Sequence, residues 1–202
     1  MTENSQYRVK GTLHRAYAIE NVLTPKECEE FIQYIEGYSK RTGQVQSIED
    51  DREITQKLMK RLQPYLSKFV TYEKCGCLYE LVGVGDFVTI SKHKSAINIH
   101  IDEAEKDKYK NEWRKDLHCL FKAGIYLNDV SDPNNPEDKS GGTAFYDMNK
   151  RFLTAIKPAV GKAFIFSMSD YHSGVEFSAK KTKYLIGFRL LYKLKKSCVD
   201  KK

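Results

Sequence analysis

The sequence predicts a mainly β protein with supporting helices toward its N-terminus. Three observations lead there. Beyond residue 78, short apolar or alternating runs separated by turn signals recur at 79–84, 87–91, 97–102, 120–127, 143–146, 152–156, 163–167, 174–177 and 184–194, a spacing typical of a β core. Ahead of that core, two stretches have helical spacing. And 202 residues, 41% hydrophobic and 30% charged, suffice for one soluble domain with a sizeable core.

Taken in order, residues 1–11 read as a polar tail and 14–22 as an entering strand. Thr24-Pro25-Lys26-Glu27 is a helix start, with Thr as N-cap, Pro at the first helical position and Glu at the third. Cys28, Phe31, Ile32 and Ile35 follow on one face. Residues 37–50 are polar and loop-like. Ile54, Leu58, Leu62 and Leu66 recur every four residues and predict a second helix over 51–66. Two loops interrupt the β region. Residues 103–118 are charged and carry the only tryptophan, Trp113, read as an anchor for a lid in preference to a substrate-stacking surface; 129–142 is rich in Asp, Asn, Pro and Gly. Long loops between strands commonly cover or select substrates.

Composition excludes several classes. No apolar run approaches the roughly 20 residues that span a bilayer, and the first residues lack the apolar segment of a secretory signal. A soluble intracellular protein, cytoplasmic by default, with no membrane partner is the expectation. The five cysteines, Cys28, Cys75, Cys77, Cys119 and Cys198, are odd in number and contain no Cys-x-x-Cys pair, so reduced thiols are expected, not a disulfide framework or zinc site. The net charge of +7, concentrated in runs such as Lys180-Lys181-Thr182-Lys183, is compatible with an anionic partner, but no recognised nucleic-acid module accompanies it.

The residues that carry chemistry begin at Asn98-Ile99-His100-Ile101-Asp102. In a strand, Asn98, His100 and Asp102 would face one side and Ile97, Ile99 and Ile101 the other. A second histidine, His172, ends the turn after the apolar run Ala163-Phe164-Ile165-Phe166. Two histidines and a carboxylate can form the facial triad that holds iron(II) and leaves positions open. The return strand carries Lys183 and Arg189 on one face. A cation there suits a dicarboxylic co-substrate that chelates metal at one end and needs a buried positive charge at the other. Lys181 has the same parity and competes for that role, as does Arg189. His93 reads as a pocket-rim or surface residue, His118 as structural, His14 as exposed, and Asp147 and Asp170 as turn residues.

Together these residues resemble the iron(II)/2-oxoglutarate-dependent dioxygenases, most closely the prolyl 4-hydroxylase-like branch. The likeness runs over most of the chain. Residues 21–28 look like that branch's approach to its first helix, Ile125-Tyr126-Leu127-Asn128 like its Tyr-Leu-Asn strand, Gly141-Gly142-Thr143-Ala144-Phe145 like its Gly-Gly strand, and Pro158-Ala159-Val160-Gly161-Lys162-Ala163 like the turn before its distal histidine. The resemblance implies a single dioxygenase-like domain over 1–202, with strand and helices at 12–70 and a double-stranded β-helix, or jelly roll, at 78–195. It implies iron held by His100, Asp102 and His172, and 2-oxoglutarate bound by Lys183, Tyr126 and Thr143, with Arg189 as a further candidate. Dioxygen is the oxidant and ascorbate a candidate reductant. A C–H bond is hydroxylated with release of succinate and carbon dioxide, the first-choice substrate being a prolyl or similar side chain in a protein or peptide. Two departures bear on the substrate. Residues 90–96 lack the tyrosine and glycine that relatives carry before His-x-Asp, and His93 can take that space. Arg189 stands where prolyl-hydroxylase relatives often have tryptophan, a partial likeness to nucleic-acid dealkylases. Nucleic acid is therefore the alternative substrate, and a non-catalytic jelly-roll binding domain the alternative class.

Overall fold

A computed structural model of the chain describes residues 4–9, 12–50, 52–69, 71–74, 77–85, 87–102 and 117–196. Period-two alternation sorts the long strands into two working faces. In β7 (Leu117–Tyr126) and β12 (Lys183–Lys196), Phe121, Ala123, Ile125, Ile186, Phe188 and Leu190 turn one way and are buried. They pack with Cys28, Ile35, Leu58 and Leu62 of two helices, α1 (Pro25–Thr42) and α2 (Arg52–Leu62). The intervening residues turn the other way. There Tyr126 and Leu185 join Ala16 and Ala18 of β2 (Thr12–Ile19), Phe164 and Phe166 of β10 (Ala163–Ser167), and Phe145 of β8 (Thr143–Tyr146) in a second core. A sheet covered on both faces explains why β10 is buried at every position.

Among the described residues, the larger sheet has nine strands, all antiparallel to their neighbours, in the order β1-β2-β10-β7-β12-β5-β4; β6 joins at β12 and β3 at β6. The remaining members are β1 (Asn4–Val9), β3 (Gln46–Asp50), β4 (Thr71–Lys74), β5 (Cys77–Val84) and β6 (Phe87–His93). The smaller sheet is β11-β8-β9, with β9 at Phe152–Ile156 and β11 at Tyr171–Gly174.

The predicted helix start forms as a capping box. The Glu27 amide donates to Thr24 Oγ1 at 3.3 Å, and the Thr24 amide donates back to Glu27 Oε2 at 2.9 Å. The same carboxylate receives a bidentate Arg61 guanidinium at 2.7 and 2.6 Å, which ties α1 to α2. That guanidinium holds the Glu27 carboxyl far below the ordinary carboxylate range.

Several boundaries differ from the sequence expectation. The tail includes β1, paired along β2 from Asn4↔Tyr17 to Val9↔Thr12. The stretch taken as a loop at 37–50 instead completes α1 and forms β3, and β4 is a further strand outside the runs read from the sequence. The second helix is α only to Leu62, then becomes a 3-10 helix over Gln63–Phe69; Pro64, which lacks an amide hydrogen, disfavours its continuation. The segment 97–102 is not a strand: a lone bridge joins His100 to His172, and Ile97 and Ile99 are exposed. The run placed at 174–177 forms its strand earlier, as β11. Trp113 and most of the 103–118 loop lie outside the described residues, as do Cys75 and Cys198. Cys28 is a buried free thiol.

Candidate metal centre

The lone bridge does the assembling that a strand was expected to do. His100 and His172 exchange two backbone hydrogen bonds, each 2.9 Å. His172 lies on β11 opposite Phe145 of β8, so it shares Phe145's inward face. The two imidazole rings lie 4.2 Å apart. Asp102 follows two residues later, with its carboxylate oxygens 3.8 Å from His100 Nε2 and 3.6 Å from His172 Nε2. One ligand atom from each of the three falls within 4.8 Å of the others. His100, Asp102 and His172 thus come together as the sequence expectation requires, though by a bridge instead of by strand alternation.

Both histidines are held in a ligating orientation. His100 Nδ1 lies 2.7 Å from the Asn98 carbonyl oxygen and His172 Nδ1 lies 3.0 Å from that of Asp170. A carbonyl can only accept, so in the neutral ring Nδ1 carries the proton and Nε2 presents its lone pair. Burial pushes His172 down to about 4, outweighing the opposite pull of Asp102, so that ring is neutral at physiological pH. Asp102 Oδ2 is buried and receives no well-directed hydrogen bond among the described residues, although the Lys122 ammonium lies 3.1 Å away. Two lone pairs and an under-satisfied carboxylate converging on one space fit a divalent transition-metal ion.

A second pole lies on the same inner face. Lys183, only 3% exposed, pairs across strands with His93 of β6. Its ammonium is 5.3 Å from the centroid of the Tyr126 ring and 3.5 Å from the Gly142 carbonyl oxygen. The Tyr126 hydroxyl lies 2.7 Å from Thr143 Oγ1, and both residues are buried. Burial pushes Lys183 down to about 8. Burial also raises Tyr126 well above its ordinary value and keeps it a neutral phenol. His93, held at Ser91 Oγ by a 2.9 Å contact, is pushed down to about 4, first by burial and then by the charges of Lys183 and Lys122.

The competing cations stand elsewhere. Lys181 donates to the Val130 and Ser131 carbonyls at 3.0 and 2.9 Å, so it secures the 129–142 loop. Arg189 shares the face of Lys183, but its register partner is Lys122 of β7, so it stands at the Asp102 end. Asp147 is the turn residue expected, accepting from the Asn149 and Arg151 amides, and His118 packs edge-on against Tyr79 at 5.1 Å.

The motifs have physical explanations here. Asn128 brackets Lys183: its amide nitrogen donates to the Thr182 carbonyl at 2.7 Å, and its oxygen accepts from the Tyr184 amide at 2.9 Å. Gly161 has φ +73°, and a Cβ there would fall 2.0 Å from the Leu23 carbonyl oxygen. That close approach seats the turn before β10 against the start of α1. Gly142 admits no Cβ either, with the Ile156 carbonyl oxygen at 2.2 Å. Asn128→Ala should weaken anion binding at Lys183 about tenfold, through loss of two hydrogen bonds that place it. Calorimetry with 2-oxoglutarate checks this, and unchanged affinity would remove Asn128 from the positioning account.

Lys122 is the residue the sequence reading missed. Its ammonium lies 3.2 and 3.1 Å from the two oxygens of Asp102. A signal was present: it is a lone cation inside the apolar run 120–127, with the parity of Tyr126.

The fold is one that prolyl 4-hydroxylases have. The chain superposes on a Pseudomonas putida prolyl-4-hydroxylase with TM-score 0.58 at 10% identity, covering 88% of this chain and 92% of that one. A viral collagen prolyl hydroxylase from Paramecium Bursaria Chlorella virus-1 gives 0.57 at 18% identity, covering 87% and 89%. A prolyl hydroxylase from Trichoplax adhaerens, solved with a hypoxia inducible factor oxygen degradation domain peptide fragment, gives 0.55 at 14%, covering 87% and 82%. No protein-family model and no curated protein sequence matches the chain.

Proposed function

We propose that this protein is an iron(II)- and 2-oxoglutarate-dependent dioxygenase that hydroxylates a C–H bond, with a prolyl or similar side chain in a protein or peptide as substrate. In this reading the two sheets form one double-stranded β-helix domain. The observation that carries it is the convergence of two Nδ1-anchored histidines on the Asp102 carboxylate. The likeness of fold to prolyl hydroxylases supports it, and the peptide held by one of them supports a peptide substrate. Among the described residues no helix is long and apolar enough to cross a membrane.

His100, Asp102 and His172 would hold the iron. The chemistry such a centre supplies, with 2-oxoglutarate and dioxygen, is hydroxylation of the substrate coupled to formation of succinate and carbon dioxide. The chain's own part is positioning. Lys183 offers a desolvated positive charge to the distal carboxylate of 2-oxoglutarate, worth more there than in water. Tyr126 and Thr143, already hydrogen-bonded to each other, present hydroxyls beside it. Phe164 and Phe166, stacked 5.9 Å apart, line the inner face with apolar surface and limit water there.

The test is succinate release from the iron-loaded protein with 2-oxoglutarate under air, with and without proline-containing peptides. Peptide-stimulated release is the expected result. Stimulation by methylated oligonucleotides alone would move the protein to the dealkylase reading, and no succinate under any condition would make it a binding domain.

A further inference from the structure

Among the described residues, the inner face carries positive charge at two places, and the reading above assigns the first of them to the co-substrate. Lys183 is sealed at the first. At the second, Lys122 of β7 and Arg189 of β12 are direct cross-strand partners on the same inward face. Lys122 contacts both oxygens of Asp102, while its side chain remains 33% exposed, open to an arriving molecule. Gly187, the next inward position on β12, lies opposite Gly124. A Cβ at Gly187 would meet, among the described residues, only Lys122 Cε at 3.7 Å. The two cations therefore border a floor without side chains at Gly187.

Charge counting gives this arrangement its meaning. Without a metal, Asp102 balances Lys122. A divalent ion held by Asp102 and by the chelating carboxylate of 2-oxoglutarate is a neutral unit, so Asp102 no longer balances Lys122. Lys122 is then left without its counter-charge, and an anion beside it would supply one. We propose that the substrate is an acidic peptide: a carboxylate side chain close to the hydroxylated residue pairs with Lys122 and Arg189. This rests on the hydroxylase reading above and sharpens its substrate class. A peptide suits the site better than a nucleic acid. Strand-tracking recognition uses many phosphate contacts along an exposed surface, whereas this is one cross-strand pair of cations. Arginine supplies a planar fork for a carboxylate and lysine a point charge.

The test uses the full chain loaded with Mn(II) and 2-oxoglutarate without oxygen. Binding is measured for two pools of proline-centred peptides, identical except that each member of one carries glutamate near the proline where the other has glutamine. The glutamate pool should bind about tenfold more tightly, the size of one charge-assisted contact. Lys122→Met should remove the preference, and Lys122→Glu should turn it toward a lysine pool. Lys180→Gln, on the exposed surface, should leave it intact, separating the site from overall net charge. Equal affinity for the glutamate and glutamine pools would overturn the proposal while leaving the hydroxylase reading standing; no binding of either pool, or tighter binding of a single-stranded oligonucleotide, would overturn it and count against a peptide substrate as well. Failure to take up Mn(II) and 2-oxoglutarate at all would instead remove the hydroxylase reading, and the proposal with it.

Discussion

Lys183→Met should raise the stability of the ligand-free protein while abolishing 2-oxoglutarate binding. The ammonium is 3% exposed and burial pushes it down to about 8. In the unfolded chain a lysine titrates near 10.4. A base whose folded value lies below its unfolded one penalises the fold fully at pH below 8, and the penalty is relieved as pH rises from about 8 to 10.4. At neutral pH, methionine of similar volume should recover about 2–3 kcal/mol, visible as a higher midpoint in urea. The same substitution removes the buried charge from the proposed anion pole, so affinity for 2-oxoglutarate should fall by about a hundredfold or more, with metal binding retained. In the wild type, ligand affinity should decline as pH rises through the lysine's titration, displaced upward once the anion is bound. A variant both less stable and unimpaired in 2-oxoglutarate binding would show that Lys183 serves the fold.

His172→Ala should remove metal binding almost completely. His172 has two roles in the centre. Its Nε2 is one of three converging donors, and its backbone forms the bridge that holds His100. Alanine keeps the bridge, so the loss measures the ligand itself. Removing one of three protein ligands should lower Co(II) affinity by about a hundredfold or more, above the 10–100-fold seen for outer partners. The thermal unfolding midpoint without metal should fall modestly at neutral pH, because the buried imidazole, pushed down to about 4 and so uncharged there, gives up its packing against Phe166. Co(II) absorbance read with the unfolding midpoint separates the two effects.

How much of this was legible in the sequence depended on which signal each residue left. The capping box and the spacing of Cys28, Ile35, Leu58 and Leu62 place the helices directly, because a buried helical face has a fixed period. β1, β3 and β4, with sequences NSQYRV, QSIED and TYEK, were missed. They lie at or near sheet edges, where polar and charged residues are normal and the apolar alternation used to find strands is weak. The segment 97–102 shows the opposite failure. Its isoleucines alternate as a strand's would, yet Ile97 and Ile99 are exposed, and the segment is held by the His100–His172 bridge and by the Gly174 amide donating to the Ile97 carbonyl. Pairing partners, which no local pattern reveals, decided that outcome. What distinguishes the surroundings of Lys183, Lys181 and Arg189 is contacts distant in sequence: Lys181 reaches Val130 and Ser131, and Arg189 stands beside Lys122. Lys122 itself looked like an interruption in an apolar run until Asp102 appeared next to it.

The central claim, a metal centre built from His100, Asp102 and His172 with 2-oxoglutarate as its co-substrate, is tested most directly by anaerobic titration of the protein with iron(II) and 2-oxoglutarate. The readout is the visible metal-to-ligand charge-transfer absorption that arises when the 2-oxo acid chelates the metal. The account expects that band in the wild-type protein, saturating at one equivalent of iron, and its absence in His172→Ala. A wild-type protein that develops no band would contradict it.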